Sequence, residues 1–358
     1  MKILRVYPFL PPRQGGLEKH VLRLSQLQRQ QGHDVVVAFN CGNMSSPFDI
    51  RLLRGASLAR VRPQVVRDLL FYIAVVLNIT TRRLRFDVVH LHGDYTAFYF
   101  GPLLARLCSA KILCCSVHGK MRRTKIFRSI YSKILSDYDL VYCTGYSEYL
   151  YLKNEVRPSV KVFWQPSGVD NEFLSEGANT VFEYDVVTVG SLVPVKNHKL
   201  FIDVANKLPS LKFAIAGSGA LQSELTRYIQ YLKADNVKLL GQLTPSEIRD
   251  LMRNTKIFLL TSLSEGTPTV MLEAMSAGAV VVTTPSNDYS LILGDNINGI
   301  VTSDFDAEVI ASKIIEILEN PLELNRISTN AKRKSAEYQW ERVAQNISSL
   351  MLDGLGRR

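Results

Sequence analysis

The sequence has little of several things that would place it in large protein classes. It holds five cysteines, an odd number with no C-x-x-C pair, so neither a disulfide framework nor a thiolate zinc site is expected. Cys41, Cys108, Cys114, Cys115 and Cys143 read instead as reduced core filler in a cytosolic compartment. Histidine is scarce too. His90-x-His92 could sit as a metal pair on one strand face, but no further ligand set accompanies it in the sequence, so burial is the plainer reading. The longest apolar run, Leu69 to Ile79, is too short to span a bilayer. Met1 to Phe9 lacks an h-region and a cleavage site, so no signal peptide is expected there.

What is present fits a globular chain of two ordinary domains: 358 residues, with 46% hydrophobic and 21% charged. The formal charge of +10 is unevenly spread. Residues 1–170 hold 25 Lys and Arg against 11 Asp and Glu, whereas residues 171–358 hold 18 against 22. The first half therefore suits an anionic partner: a membrane surface, a phosphorylated acceptor or nucleic acid, the last without any supporting motif. Short apolar runs at Lys2–Val6, Asp34–Phe39, Asp87–Leu91, Lys111–Val117 and Asp139–Thr144 are separated by helix-length segments. A second series runs from Asp185–Val189 through Lys212–Ala216, Asn236–Leu240, Ile257–Leu260 and Val280–Thr283. That alternation predicts an α/β fold with two parallel sheets.

Ser264 to Gly278, SEGTPTVMLEAMSAG, concentrates the chemistry. Thr267 is a candidate N-cap, Pro268 suits the first helical position and Gly278 is a helix stop. Glu265 would lie in the strand-to-helix loop where open α/β sheets bind ligands. The first N–H groups of the helix, at Thr269 and Val270, would form an anion site suited to a diphosphate. Glu273, about 7.5 Å further along at about 1.5 Å per residue, could then hold hydroxyls on the opposite side from Glu265. A sugar nucleotide has that layout. Each glutamate taken alone reads more plainly as a solvated surface acid.

The run closely resembles the E-x7-E motif of the retaining glycosyltransferases of the GT-B fold, family 4. The resemblance implies two Rossmann-like domains facing a central cleft, with a C-terminal helix returning to the first domain. The expected bounds are 1–166 for the acceptor domain, 167–336 for the donor domain and 337–358 for the crossing helix. It implies that Glu265 contacts the donor sugar and Glu273 the ribose, with Gly266, Thr267, Pro268, Thr269 and Val270 lining the donor site between them. Gly15 and Gly16 match the family's Gly-Gly-x-Glu loop, His118 matches a histidine that contacts the donor sugar, and Gln165 to Asp170 resembles the interdomain segment PNGVD, with Ser167 in the Asn place. Gly190, Ser191 and Lys196 match the G-R-L-x3-K segment, whose cations neutralise the departing diphosphate. Here Ser191 replaces the arginine. Gly217 and Gly219 form a second glycine loop able to admit a nucleotide backbone.

The expected activity is retaining transfer of a sugar from a nucleotide diphosphate to a hydroxyl of a glycan or lipid-linked acceptor, without a metal or a separate cofactor. Glu265, Lys196 and His118 would carry the chemistry. Two rivals remain: a degenerate relative that binds without turnover, and a sugar-nucleotide epimerase of similar fold. Asp137-Tyr138-Asp139 and Asp304-Phe305-Asp306 look like a metal-binding D-x-D, but the first borders a strand and Asp306 suits an N-cap. Lys120 to Leu135 pairs an apolar helical face with Lys120, Arg122, Arg123, Lys125 and Arg128. It fits either an anionic membrane surface or an ordinary helix packed on the sheet.

Overall fold

The computed structural model describes residues 1–11, 15–43, 46, 49–52, 64–93, 95–118, 125–174, 183–265, 267–285 and 291–356. The chain forms two compact units, Met1–Ser167 with Trp340–Arg358, and Gly168–Gln339.

The first unit runs β1 (Lys2–Val6), α1 (Gly16–Gln30), β2 (Asp34–Phe39), β3 (Ile50–Arg51), α2 (Gln64–Arg82), β4 (Val88–Gly93), α3 (Tyr95–Phe98), α4 (Gly101–Cys108), β5 (Ile112–Val117), α5 (Lys125–Leu135), β6 (Leu140–Cys143), α6 (Tyr146–Glu155) and β7 (Lys161–Trp164). The strands form one sheet in the order β3-β2-β1-β4-β5-β6-β7, and its ladders are parallel. Parallel strands need crossovers on both faces, so the strands are apolar on both sides. Leu4, Val6, Val89, Leu91 and Cys115 face one core with Phe71 and Tyr72 of α2. Their alternates Ile3, Val35, Val37, Val88 and Cys114 face another with Val21 and Leu24 of α1. Period-two alternation thus sorts neighbouring residues into two separate cores.

The second unit runs β8 (Tyr184–Val189), α7 (His198–Lys207), β9 (Phe213–Ala216), α8 (Gln222–Leu232), β10 (Val237–Gly241), α9 (Pro245–Arg253), β11 (Thr255–Leu260), α10 (Thr269–Ala277), β12 (Val280–Thr283), β13 (Ile300–Val301), α11 (Ala307–Leu318) and α12 (Pro321–Ser335). Its parallel sheet has the order β10-β9-β8-β11-β12-β13. The final helix, α13 (Trp340–Gly356), belongs to the first unit. There Val343, Ile347 and Met351 complete the α1 core, and Gln28 of α1 donates from Nε2 to Ser348 Oγ at 3.0 Å.

In both sheets the order reverses beside the first strand, between β1 and β4 and between β8 and β11. The loops leaving those strands diverge there and open a crevice at the carboxyl edge, the usual ligand position in doubly wound sheets.

One local expectation changes and another is only partly covered. The helix after Glu265 begins at Thr269, one residue later than the sequence implies: Pro268 is its N-cap, with extended ψ of 119°, and Thr267 lies outside the cap. The Pro268 carbonyl already accepts from Met271 N at 3.1 Å, which is the N-cap's role. In the basic stretch, Lys120, Arg122 and Arg123 lie outside the described residues, as does the Lys125 side chain. Arg128 lies 4.0 Å above the Tyr151 ring, and Tyr131 and Leu135 enter the core, so the described part of α5 is a packed helix.

Candidate active site

At the crevice of the second unit, Lys196 and Glu265 meet from opposite sides of the reversal. Lys196 follows β8 in a 3-10 turn, Pro194–Lys196, and Glu265 follows β11. Lys196 Nζ donates to Glu265 Oε1, which also accepts from Ser262 Oγ at 2.8 Å. The pair is largely withdrawn from water, with side-chain exposures of 20% and 15%. Several bonds fix the lysine: Thr261 Oγ1 donates to the carbonyls of Lys196 and Asn197 at 3.1 and 3.0 Å, and Leu263 N donates to Val195 O at 2.9 Å. The Lys196 stem packs along the backbone of Gly190, at ordinary contact distance (3.5 Å) from where a Cβ would stand.

Beyond this pair, α10 starts at Thr269 with no side-chain cap. An N-terminus without a capping side chain, after a loop carrying a carboxylate–ammonium pair, suits an anion that brings its own oxygens. Thr269, Val270 and Glu273 are half-buried on this helix, and Gly278 ends it at φ +93°. Gly266 lies outside the described residues.

Gly217 and Gly219 owe their identity to backbone packing. Gly217 has φ +149°, and a Cβ there would fall 1.9 Å from Gly190 O; one on Gly219 would fall 2.5 Å from Leu192 O. The loops after β8 and β9 are therefore pressed together, with Leu192 N donating to Ser218 O at 3.0 Å. Ser191 is exposed, and its carbonyl lies 3.2 Å from His198 Nε2. Burial holds His198 below the ordinary histidine range.

The first unit has its own crevice, a cavity of about 210 Å³ lined by Tyr7 and Phe9 after β1, His92 and Gly93 at the end of β4, His118 after β5, and Arg67 of α2, among others. Gly15 and Gly16 open α1 beside it. The Glu18 carboxylate folds back to within 2.2 Å of where a Gly15 Cβ would stand, while Gly16 has open space. Tyr7 donates its hydroxyl to Glu18 Oε1 at 3.4 Å.

His20, His92 and His118 converge here, the one group among the described residues with ligand atoms close enough, within 4.8 Å, to share a metal. His92 thus does have companions, though from α1 and the loop after β5 and not from its neighbour His90. Both nitrogens of His92, Nε2 of His20 and Nε2 of His118 are buried with no hydrogen-bond partner among the described residues. His20 Nδ1 is 2.8 Å from Ser167 Oγ. Burial depresses all three histidines, and His90 with them; Coulombic repulsion from buried Arg5 adds to this for His20, His90 and His92. Arg5 is held by Ser25 Oγ at 2.7 Å and Gln28 Oε1 at 2.5 Å, and burial lowers its own pKa to about 9. The cluster is neutral imidazole at physiological pH, able to hydrogen-bond uncharged hydroxyls or to coordinate a cation.

One acid of each D-x-D triplet has a structural role. Asp139 accepts from Leu113 N at 2.8 Å, and Asp306 caps α11 by accepting from Glu308 N at 2.7 Å and Val309 N at 3.2 Å. His20, Ser262 and Arg5 escape sequence reasoning. His20 and Arg5 do leave a signal, a polar side chain on the apolar stripe of α1 and a charge inside a buried strand.

The chain's likenesses agree with these loops. The profile of the group 1 glycosyl transferases matches residues 175–334, and that of glycosyltransferase family 4 matches residues 14–173. The phosphatidylinositol N-acetylglucosaminyltransferase gpi3 subunit of Schizosaccharomyces pombe is 24% identical over 366 residues, covering 96% of this chain and 79% of that one. Sucrose-phosphate synthase of Thermosynechococcus elongatus superposes with a TM-score of 0.85 at 17% identity, covering 100% of both chains. Anabaena HepE in complex with UDP-glucose gives 0.79 at 17% identity, covering 99% of this chain and 100% of that one. The architecture is the GT-B fold of those structures. With the two profiles covering nearly all of both units, the chain belongs to the group 1 glycosyltransferases, family 4.

Proposed function

We propose that the protein transfers a sugar from a nucleoside diphosphate to a hydroxyl of a glycan or lipid-linked acceptor, with retention at the anomeric carbon and without a metal. The observation that carries this reading is the Lys196–Glu265 pair at the reversal of the second sheet, beside the start of α10. In the free protein each charge satisfies the other. A bound diphosphate competes for the ammonium, and the released carboxylate can then accept hydrogen bonds from sugar hydroxyls. Glu273 would take the ribose hydroxyls.

As the C1–O bond to the diphosphate breaks, its electron pair passes to the phosphate oxygen. Lys196 and the N–H groups of Thr269 and Val270 stabilise that charge as it grows, which favours the transition state over the ground state. The acceptor oxygen forms the new bond to C1 on the same face and gives its proton to the departing phosphate. His118, neutral through burial, hydrogen-bonds a sugar hydroxyl at the first unit's cavity. The relatives' chemistry supports the substrate classes: one is named for N-acetylglucosamine transfer to phosphatidylinositol, and one is solved with UDP-glucose. We further propose that it acts as a peripheral protein at the cytoplasmic face of a membrane, in polysaccharide or glycolipid synthesis. The basic first half supports this.

The test is product analysis by NMR from UDP-sugars, with and without a lipid-linked acceptor and with and without EDTA. The same anomeric configuration in donor and product, at a rate EDTA leaves unchanged, is the expected result. An inverted product refutes retention, and an EDTA-sensitive rate turns attention to the His20–His92–His118 group. Ser191 favours a second reading, binding without turnover, because its exposed hydroxyl supplies no cation; nucleotide binding with no product under any condition would establish it.

A further inference from the structure

Helix α2 is apolar on both faces, and only one of them is covered. Phe71, Tyr72, Val75 and Ile79 point into the core of the first unit. On the other side Val66, Leu69, Leu70, Ile73 and Leu77 are 42%, 46%, 41%, 42% and 59% exposed. At about 100° per residue these five fall within an arc of roughly 100°, a continuous stripe along the helix. The turn between the neighbouring helices α3 and α4 adds exposed Tyr99, and α4 adds exposed Leu103. Surface helices normally turn their second face to water with charged residues. A stripe of several large apolar side chains is of the order of size that marks an interaction site.

The sequence on either side of it is rich in cations. Residues 51–111 hold ten Lys and Arg against three Asp and Glu. Arg82, Arg83 and Arg85 are exposed at the carboxyl end of the helix. The single acid on α2, Asp68, is buried on the inner side and paired with Arg67 at 3.2 Å. An apolar stripe with cations at its end and no acid on it is complementary to a bilayer surface bearing anionic headgroups. The helix cannot instead span the bilayer: no helix among the described residues is long and apolar enough, and its inner face is part of the core.

The geometry points to α2 as the element that lies in the interface of an anionic membrane, with Leu69, Leu70, Ile73 and Leu77 inserted and Arg82, Arg83 and Arg85 at headgroup level. This deepens the membrane-face reading above and rests on it, but not on the donor site. The full chain is tested by co-sedimentation with vesicles of phosphatidylcholine alone and of phosphatidylcholine with phosphatidylglycerol. We compare wild type, the triple variant Leu69→Ser, Ile73→Ser, Leu77→Ser, and the triple variant Lys120→Glu, Arg122→Glu, Arg123→Glu. Wild type should prefer the anionic vesicles, and the serine variant should lose at least about tenfold in partitioning.

The inference is overturned if wild type binds neither vesicle or if the serine variant binds as wild type does. It is also overturned if only the glutamate variant loses binding, or if sedimentation shows a wild-type dimer that the serines abolish. Every serine site is exposed, so the variant should keep its circular dichroism and its nucleoside-diphosphate binding. That retained binding separates failure of this inference from failure of the donor reading.

Discussion

Lys196→Met separates a catalytic from a structural role for the pair at the second crevice. Methionine keeps an unbranched chain to lie against Gly190, so the packing of the stem is largely conserved. What disappears is the ammonium. Glu265, 15% exposed, keeps the Ser262 hydroxyl but loses its charged partner. A mostly buried carboxylate short of one charged partner costs about 1–3 kcal/mol, at the lower end where water still reaches it. In a domain of this size that is about 2–4 °C of melting temperature per kcal/mol. The rate should suffer far more. If the ammonium stabilises the leaving diphosphate, its loss removes about 10²–10³ from kcat/KM, the effect of deleting one preorganised group at a developing charge. Adding Glu265→Gln to the variant removes the unpaired charge and should restore stability without restoring rate. Calorimetric melting and steady-state kinetics on wild type, Lys196→Met, Glu265→Gln and the double variant complete the cycle. A variant that melts early yet turns over within about threefold of wild type would refute the reasoning and make the pair a structural strut.

Other outcomes follow from the same geometry. Gly217→Ala forces a side chain against Gly190 O at positive φ, and urea unfolding of the second unit should report a loss of more than about 2 kcal/mol. Asp306→Ala removes the cap of α11 and should cost about 1 kcal/mol by the same measurement. The depressed histidines His20, His90, His92 and His118 stay neutral when folded, whereas in the unfolded chain they take up a proton near pH 6.5. Their contribution to stability is therefore complete above about pH 6.5 and is lost on acidification, by up to about 2 kcal/mol per histidine at about pH 5. His92→Asn should flatten the pH dependence of the first unit's unfolding free energy. An unchanged slope would mean that the cluster admits protons when folded.

Much of this fold is legible in the sequence because strand alternation and helix stops are local signals. Lys2–Val6, Asp34–Phe39 and Val280–Thr283 are strands over the bounds that apolar runs and turn residues imply, and the other long strands differ by a few residues at their ends. The two-residue strands β3 and β13 carry too little pattern to be read, and exist through pairing with β2 and β12. Helix α9 goes unread despite a full capping box between Thr244 and Glu247.

In the candidate site, Lys196 and Glu265 are each identifiable from a motif, but their direct bond depends on the order of strands β8 and β11. The histidine cluster is illegible for the same reason: α1, β4 and the loop after β5 bring together three residues that lie far apart in sequence. Composition leaves the reason for Gly217 and Gly219 open. A glycine pair looks alike whether a ligand or a neighbouring loop needs the room, and here the backbone of Gly190–Leu192 takes it. The exposed face of α2 is hidden too, because an apolar run does not announce which of its faces is covered.

The central claim, that the second unit holds a nucleoside diphosphate at the start of α10, is tested most directly by calorimetric titration. UDP, GDP and ADP are titrated into wild type and Glu273→Ala. The account predicts that one of the three binds wild type and that the variant binds it at least about tenfold more weakly, as expected for lost hydrogen bonds to a charged carboxylate. Wild type that binds none of them, or a variant that binds as tightly as wild type, would contradict it.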